Sequence, residues 1–248
     1  MLKLNEVLSL IIENKTFAID HENRVIITEQ QLGEMIANDY ESAIKCIKDG
    51  TLEEALVQGG GELYYVYQDL KGKYLDPYVL VFHLQYLLAP RLPFIYRDLF
   101  YRTIDKVGAA INKRVANRTQ ILEAMKSHLF STYLSLRKFN EKFPNVVEGV
   151  TLAENYANVD ENIAYDLLSA FLSLRDYYKF NGKKFYNIES LYAYLIKKQK
   201  LKKFAKTIEG DSLFFAWLYY LGKIDQIAAW KKKVNDLENY VDNKKGEY

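Results

Sequence analysis

Apolar and polar positions alternate through Tyr178-Lys179-Phe180, break at Asn181-Gly182, and resume from Lys184 to Tyr186. Alternation marks a strand, and Asn-Gly accommodates the positive φ angles of a two-residue turn, so the segment predicts a β-hairpin. The period then changes. Ile188, Leu191 and Leu195 recur at helical spacing behind Asn187, whose side chain can accept from the first free amides of a helix. The unit read from Tyr178 to Leu195 is a hairpin docked on a helix.

The same pattern occurs at Phe94 to Ile111 and, more worn, at Phe17 to Ile36. Thr28, Thr103 and Asn187 occupy the cap; Leu32, Val107 and Leu191 follow, then Ile36, Ile111 and Leu195. The expected strands are Phe17-Ala18-Ile19 with Val25 to Ile27, and Phe94-Ile95-Tyr96 with Leu99 to Tyr101. Further on, Leu52, Leu129 and Leu213 open matching helices, with Leu56, Tyr133 and Trp217 one turn later as large buried anchors. Leu84 to Ala89 before the second hairpin matches Leu168 to Ser173 before the third. The fold class expected is mainly α with three short β-hairpins, as tandem repeats of a hairpin-plus-helices unit of about 80 residues. The period, about 77 and then 84 residues, is longer than the common solenoid repeats. The units are expected at 1–88, 89–172 and 173–242 of one repeat-built domain, with a frayed tail at 243–248.

Taken in order, Leu4 to Glu13 predicts an amphipathic helix that covers the first unit. Thr28 to Gln31 is a capping box opening a helix that should run to Gly50, and Thr51 to Glu54 is a second box, its helix stopping at Gly59-Gly60-Gly61. Helices from Glu62 to Leu70 and from Pro77 to Leu88 follow, ended by Pro90 and Pro93. Thr103 should begin a helix reaching Arg118, and Gln120 to Arg137 reads as one long amphipathic stretch. Phe143-Pro144-Asn145 is the clearest break, Thr151 to Glu154 a further capping box, and Glu161 to Leu174 the helix leading into the third hairpin. Asp211 should cap Leu213 to Leu221, and a last amphipathic helix is expected from Ile224 to about Val241.

Composition narrows the picture without supplying chemistry. Apolar residues make up 49% and charged residues 27% of 248 positions, the balance of an ordered chain. A formal charge of +2 gives no global field toward nucleic acid or anionic lipid. The single cysteine, Cys46, cannot form an internal disulfide and is expected to be a small core thiol. No apolar run of about 18 residues occurs, so no membrane span is expected, and a cytoplasmic location follows as the expectation.

Motifs for catalysis are missing. His21, His83 and His128 are scattered outside any metal-ligand spacing, and no GxSxG, Walker or GxGxxG pattern is present. Glu13-Asn14-Lys15 lacks the upstream strand carboxylate of a metal-dependent nuclease, and Arg118 and His128 stand too far apart in sequence for a compact ribonuclease pair. Hence no catalytic residue, metal ligand or cofactor is assigned. One local charge feature remains. Lys197, Lys198, Lys200, Lys202, Lys203 and Lys206 lie between Glu189 and Glu209 with no acid among them, flanked by Tyr192, Tyr194 and Phe204.

The expectation is a non-catalytic protein-interaction protein, an adaptor, scaffold or regulator, whose partner is another protein chain. Alternation places Tyr96, Tyr101, Lys179 and Tyr186 on faces turned from the docking helix, which makes them the expected contact residues, together with the poorly matched loops 71–76 and 140–150. The alternative is a nucleic-acid binder using the lysine segment, and an enzyme of unrecognised type comes third. The sequence leaves the oligomeric state open.

Overall fold

The computed structural model describes residues 3–15, 18–19, 25–26, 28–59, 61–200, 203–204, 208 and 210–223. Its elements in chain order are α1 (Leu4–Asn14), β1 (Ala18–Ile19), β2 (Val25–Ile26), α2 (Glu29–Asn38), α3 (Tyr40–Lys48), α4 (Thr51–Gly59), α5 (Glu62–Lys73) and α6 (Pro77–Leu88). Then come β3 (Phe94–Tyr96), β4 (Leu99–Tyr101), α7 (Asp105–Asn112), α8 (Arg118–Lys126), α9 (Leu129–Leu136), α10 (Phe139–Lys142), α11 (Pro144–Tyr156) and α12 (Glu161–Leu172). The chain continues with β5 (Tyr178–Phe180), β6 (Lys183–Phe185), α13 (Ile188–Lys197) and α14 (Ser212–Tyr220). The chain is mainly helical, and its described strands pair only locally and antiparallel. The helix expected from Ile224, and His21, lie outside the described residues.

Two of the pairings are full hairpins. In the third, Tyr178 pairs with Phe185 and Phe180 with Lys183 across Asn181 (φ 47°) and Gly182 (φ 79°), the double positive φ of a type I′ turn. The return strand therefore starts at Lys183, one residue earlier than alternation suggests, and Tyr186 falls beyond it. The second hairpin pairs Phe94 with Tyr101 and Tyr96 with Leu99 as expected, turning at Arg97 with φ 54°. Ala18 and Ile19 pair with Ile26 and Val25.

Chain contacts divide the molecule into two compact units. Unit 1 comprises the described residues up to Ile104 together with Asn117–Lys138. It is built around α6, where Pro77 fills the first turn and Asp76 accepts from Tyr78 N at 2.8 Å. Val79, Leu80, Val81, Phe82, Leu84, Tyr86 and Leu88 are all buried, and a helix apolar on every side has to be covered all round. In unit 1 α6 packs on α2, α3, α5, α9 and β3. Unit 2 comprises Asp105–Ala116 and the described residues from Phe139 onward. Its central helix is α12, buried all round from Leu167 to Leu172 and packed on α7, α11 and α14.

Several helix limits differ from the sequence reading, each for a local reason. Thr28 and Asn187 do cap α2 and α13, accepting from Gln31 N at 3.2 Å and Ser190 N at 2.8 Å. Thr103 instead lies in a bend two residues ahead of α7. The helix expected to reach Gly50 breaks at Asp39, which turns its carboxylate onto Ser42 N at 3.0 Å and starts α3. Asx residues offer the backbone this competing bond. Asn117 does the same for α8, so the helix from the second hairpin ends at Asn112, and His128 at φ 54° cuts the long stretch into α8 and α9. Thr151 opens nothing: Pro144 at the first turn has already started α11, and the Thr151 hydroxyl donates back to Val147 O at 3.0 Å. The expected loop at 140–150 is accordingly helical.

Candidate functional site

The expected contact residues divide between the units. In unit 1, Tyr96 is buried, 2% exposed, which corrects the exposed position read from alternation. Strand β3 is covered on both faces, so alternation no longer separates inside from outside. Tyr40 Oη donates to Ile95 O at 3.1 Å, Gln85 Nε2 donates to the same oxygen at 2.8 Å, and Ile95 N donates to Tyr86 Oη at 2.9 Å. Tyr96 itself packs edge-on to Tyr40 and Phe82, each at 6.3 Å, and burial pushes its phenol up to about 12. Tyr101 is half-buried, and the exposed ring of this hairpin is Phe100. In unit 2, Lys179 and Tyr186 are exposed; Tyr186 meets Tyr177 edge-on, and Lys184, opposite Lys179, lies 4.3 Å from the centre of the Tyr177 ring.

Of the lysine segment, Lys197, Lys198 and Lys203 are exposed and Lys200 is half-buried, whereas Lys202 and Lys206 lie outside the described residues. Phe204 is fully buried against Tyr178, Phe180 and Phe214, so it offers no face to a nucleotide base. Tyr192 and Tyr194 are half-buried.

Sequence reasoning missed one concave, mainly apolar surface. A groove of about 370 Å³ in unit 2 is walled by Leu152 and Tyr156 of α11, Ile163 and Leu167 of α12, and Phe214, Phe215 and Leu218 of α14. Ile208, Gly210, Asp211 and Ser212 also line it. Of its wall residues Tyr156 is 39% and Ile163 48% exposed, and Val159 and Leu213, close to wall residues in sequence, are 81% and 45% exposed. Tyr156, Val159 and Ile163 fall at one-turn intervals on either side of the Asp160 cap, a spacing that reads as ordinary helix core until the packing is known.

Asp211 is the one charged residue among the described wall residues, and both its oxygens are engaged. Oδ1 accepts from Phe214 N at 3.0 Å, capping α14, and Oδ2 accepts from Tyr178 Oη at 2.6 Å. Burial and this bond to a carboxylate push the Tyr178 phenol well above its ordinary value. Among the described wall residues the groove is therefore mainly apolar, and its carboxylate is already engaged.

Elsewhere, no three His, Cys, Asp or Glu side chains gather among the described residues in a way that could hold a metal ion. Cys46 is a buried free thiol, pushed up by burial. No helix among the described residues is long and apolar enough to cross a membrane. No family model matches the chain, and neither does any curated protein or solved structure.

Proposed function

We propose that this is a non-catalytic protein-interaction protein of adaptor or scaffold type, built from degenerate hairpin-plus-helices units, that receives an apolar segment of a partner protein in the α11–α12–α14 groove. The observation that carries the reading is the groove itself: a mainly apolar wall set on three helices, with the Asp211 carboxylate engaged on both oxygens and with Tyr156 and Ile163 partly in solvent. Exposed apolar surface of this kind marks interaction sites.

The repeat reading draws support from matched positions in the two units. Phe94 stands 4.7 Å from Phe130 and 5.4 Å from Tyr133; 84 residues on, Tyr178 stands 5.1 Å from Phe214 and 5.6 Å from Trp217. Arg97 and Asn181, in the same register, both hold positive φ at the hairpin turn. Gly33, five residues after Thr28, meets Leu88 and Ala89 at the end of α6, and Gly108, five after Thr103, meets Ser169 and Ser173 at the end of α12. A repeated unit of this sort presents extended surface from a limited vocabulary, which suits binding better than catalysis.

A photo-crosslinking residue at position 163, introduced in the native host, tests the reading. A discrete protein adduct is expected, absent when the same residue replaces exposed Leu75 of unit 1. Adducts that are nuclease-sensitive, or equal at the two positions, would overturn it.

A further inference from the structure

We infer that the outer face of the third hairpin is a second interaction surface, which receives a short acidic segment of a partner protein at the facing lysines Lys179 and Lys184. It is separate from the α11–α12–α14 groove and does not depend on it.

Strand register brings the two lysines together. Lys179 pairs directly with Lys184, and both are exposed. In a hairpin with a two-residue turn, Phe180 and Lys183 form the hydrogen-bonded pair beside the turn, so the lysines occupy the next, non-hydrogen-bonded pair. There Cα atoms approach to about 4.5 Å and side chains stand closest. Like charges directly opposite each other cost stability, and Lys183 adds a third exposed ammonium at the turn. No acid occurs from Tyr177 to Ile188, and among the described residues no carboxylate forms an ion pair with any of the three lysines. The nearest carboxylates in sequence are otherwise placed. Asp176 shares the parity of the buried Tyr178 and Phe180, opposite to that of Lys179, and Glu189 lies in the first turn of α13, where the helix amides favour it. A carboxylate from a partner relieves the repulsion between Lys179 and Lys184.

The lysines are also held in place by aromatic rings. Lys184 Nζ lies 4.3 Å from the centre of the Tyr177 ring, and Lys183 Nζ 5.2 Å from that of Tyr194. Contact of this kind restricts long side chains in advance, so less freedom is lost when an anion binds. Tyr177 in turn meets Tyr186 edge-on at 5.8 Å, and Tyr186, 55% exposed, offers an aromatic surface to the residue beside the bound carboxylate. An ammonium already lies over the half-buried Tyr177 and Tyr194 rings, so the face suits carboxylates better than nucleic-acid bases, which need open ring faces to stack on.

The second hairpin gives the contrast. Ile95 and Phe100 form the matching pair 84 residues earlier, and there the chain covers its own strand: Ile95 is 5% exposed, and its carbonyl accepts from Tyr40 and Gln85. At the same register in the third hairpin the strand stays in solvent and carries charge, which leaves the face to a separate chain.

The test uses the full chain and two fluorescein-labelled peptides of about 12 residues that differ only in carrying Glu or Gln at alternate positions. Anisotropy should show at least about tenfold tighter binding of the Glu peptide. Lys179→Glu should remove that preference while leaving the melting temperature unchanged or higher, because it sets opposite charges across the strand pair. Lys48→Glu, at an exposed lysine of unit 1, should change the affinity by less than about twofold, and so should Ile163→Ser in the groove. Equal binding of the two peptides, or an equal loss in Lys48→Glu, would overturn the inference. A preference that disappears in Ile163→Ser would place the contact in the groove and overturn it as well, whereas a groove that proves empty leaves the hairpin result standing. A single-stranded oligonucleotide of equal charge that binds more tightly than the Glu peptide, and loses that binding in Lys179→Glu, would assign the face to nucleic acid instead.

Discussion

His83 shows what burial does to a single residue here. Its ring lies flat on Tyr74, centroids 3.9 Å apart and 9° from parallel, and burial, with Lys73 nearby, lowers its pKa from 6.5 to about 4. Between those two values the unfolded chain binds a proton that the folded chain does not, so stability falls as pH drops through that window and is unaffected above it. Thermal melts of the wild type and His83→Phe should therefore differ in slope between pH 6.5 and about 4, with the variant flatter. Parallel profiles would mean that the imidazole is not held neutral. Trp217 carries a different lesson. It is 1% exposed, packed on Tyr178 and Phe214, and its Nε1 has no partner among the described residues, so its contribution is apolar volume. Trp217→Ala should cost about 3–5 kcal/mol in chemical denaturation, and an unchanged midpoint would show that the hairpin core is not cooperative with the rest of unit 2.

Pairs of elements are set by small residues at close crossings. At Gly108 of α7 a Cβ would lie 2.9 Å from Ser169 O and 3.0 Å from Ser173 N, both backbone atoms of the α12 end. Ser169 Oγ stands 3.1 Å from Gly108 O and 2.9 Å from Asn112 Oδ1, and can donate to either, while Asn112 Nδ2 donates to Ser173 Oγ at 3.3 Å. The helices meet through backbone and short polar side chains, so neither can yield by a rotamer change. Gly108→Val is expected to lower stability by about 1–3 kcal/mol, read from the denaturant midpoint. Gly149 of α11 is tighter still, since a Cβ would enter the Phe171 ring, so Gly149→Val should destabilise at least as much. Gly182 differs from both: nothing stands within 4 Å, and only its φ of 79° matters. Gly182→Ala should cost roughly 1–2 kcal/mol through the turn conformation alone, with no change in packing.

For the molecule as a whole, the question is whether charge or apolar area dominates recognition. The formal charge of +2 is small and the lysines are local, so a protein partner crosslinked at position 163 should lose about tenfold affinity or less between about 50 and 200 mM salt. A phosphate-dominated complex would lose roughly a thousandfold or more over the same range, and that result would move the function to nucleic acid.

Much of the local architecture was legible because its causes are local. The 3.6 period of Ile188, Leu191 and Leu195, the Asn181-Gly182 turn, the caps at Thr28, Asn187 and Asp211, and the burial of Trp217 and Cys46 all follow from residues within a turn or two of one another, and all are present in the structure. Where two local signals competed, the sequence could not rank them: Asp39, Asn117 and Pro144 redirected helices that periodicity alone would have continued. Exposure was beyond it. Tyr96 and Tyr186 look alike in the chain, yet Tyr40 and Phe82 of α6 pack on one while the other stays in solvent, because burial depends on what the rest of the chain places on a strand's second face. The groove is the same case at larger scale. Nothing in the sequence around Tyr156, Ile163 and Phe215 sets them apart, and only the packing of α11, α12 and α14 leaves a channel between them, since a concave surface is a property of three elements together and of none singly.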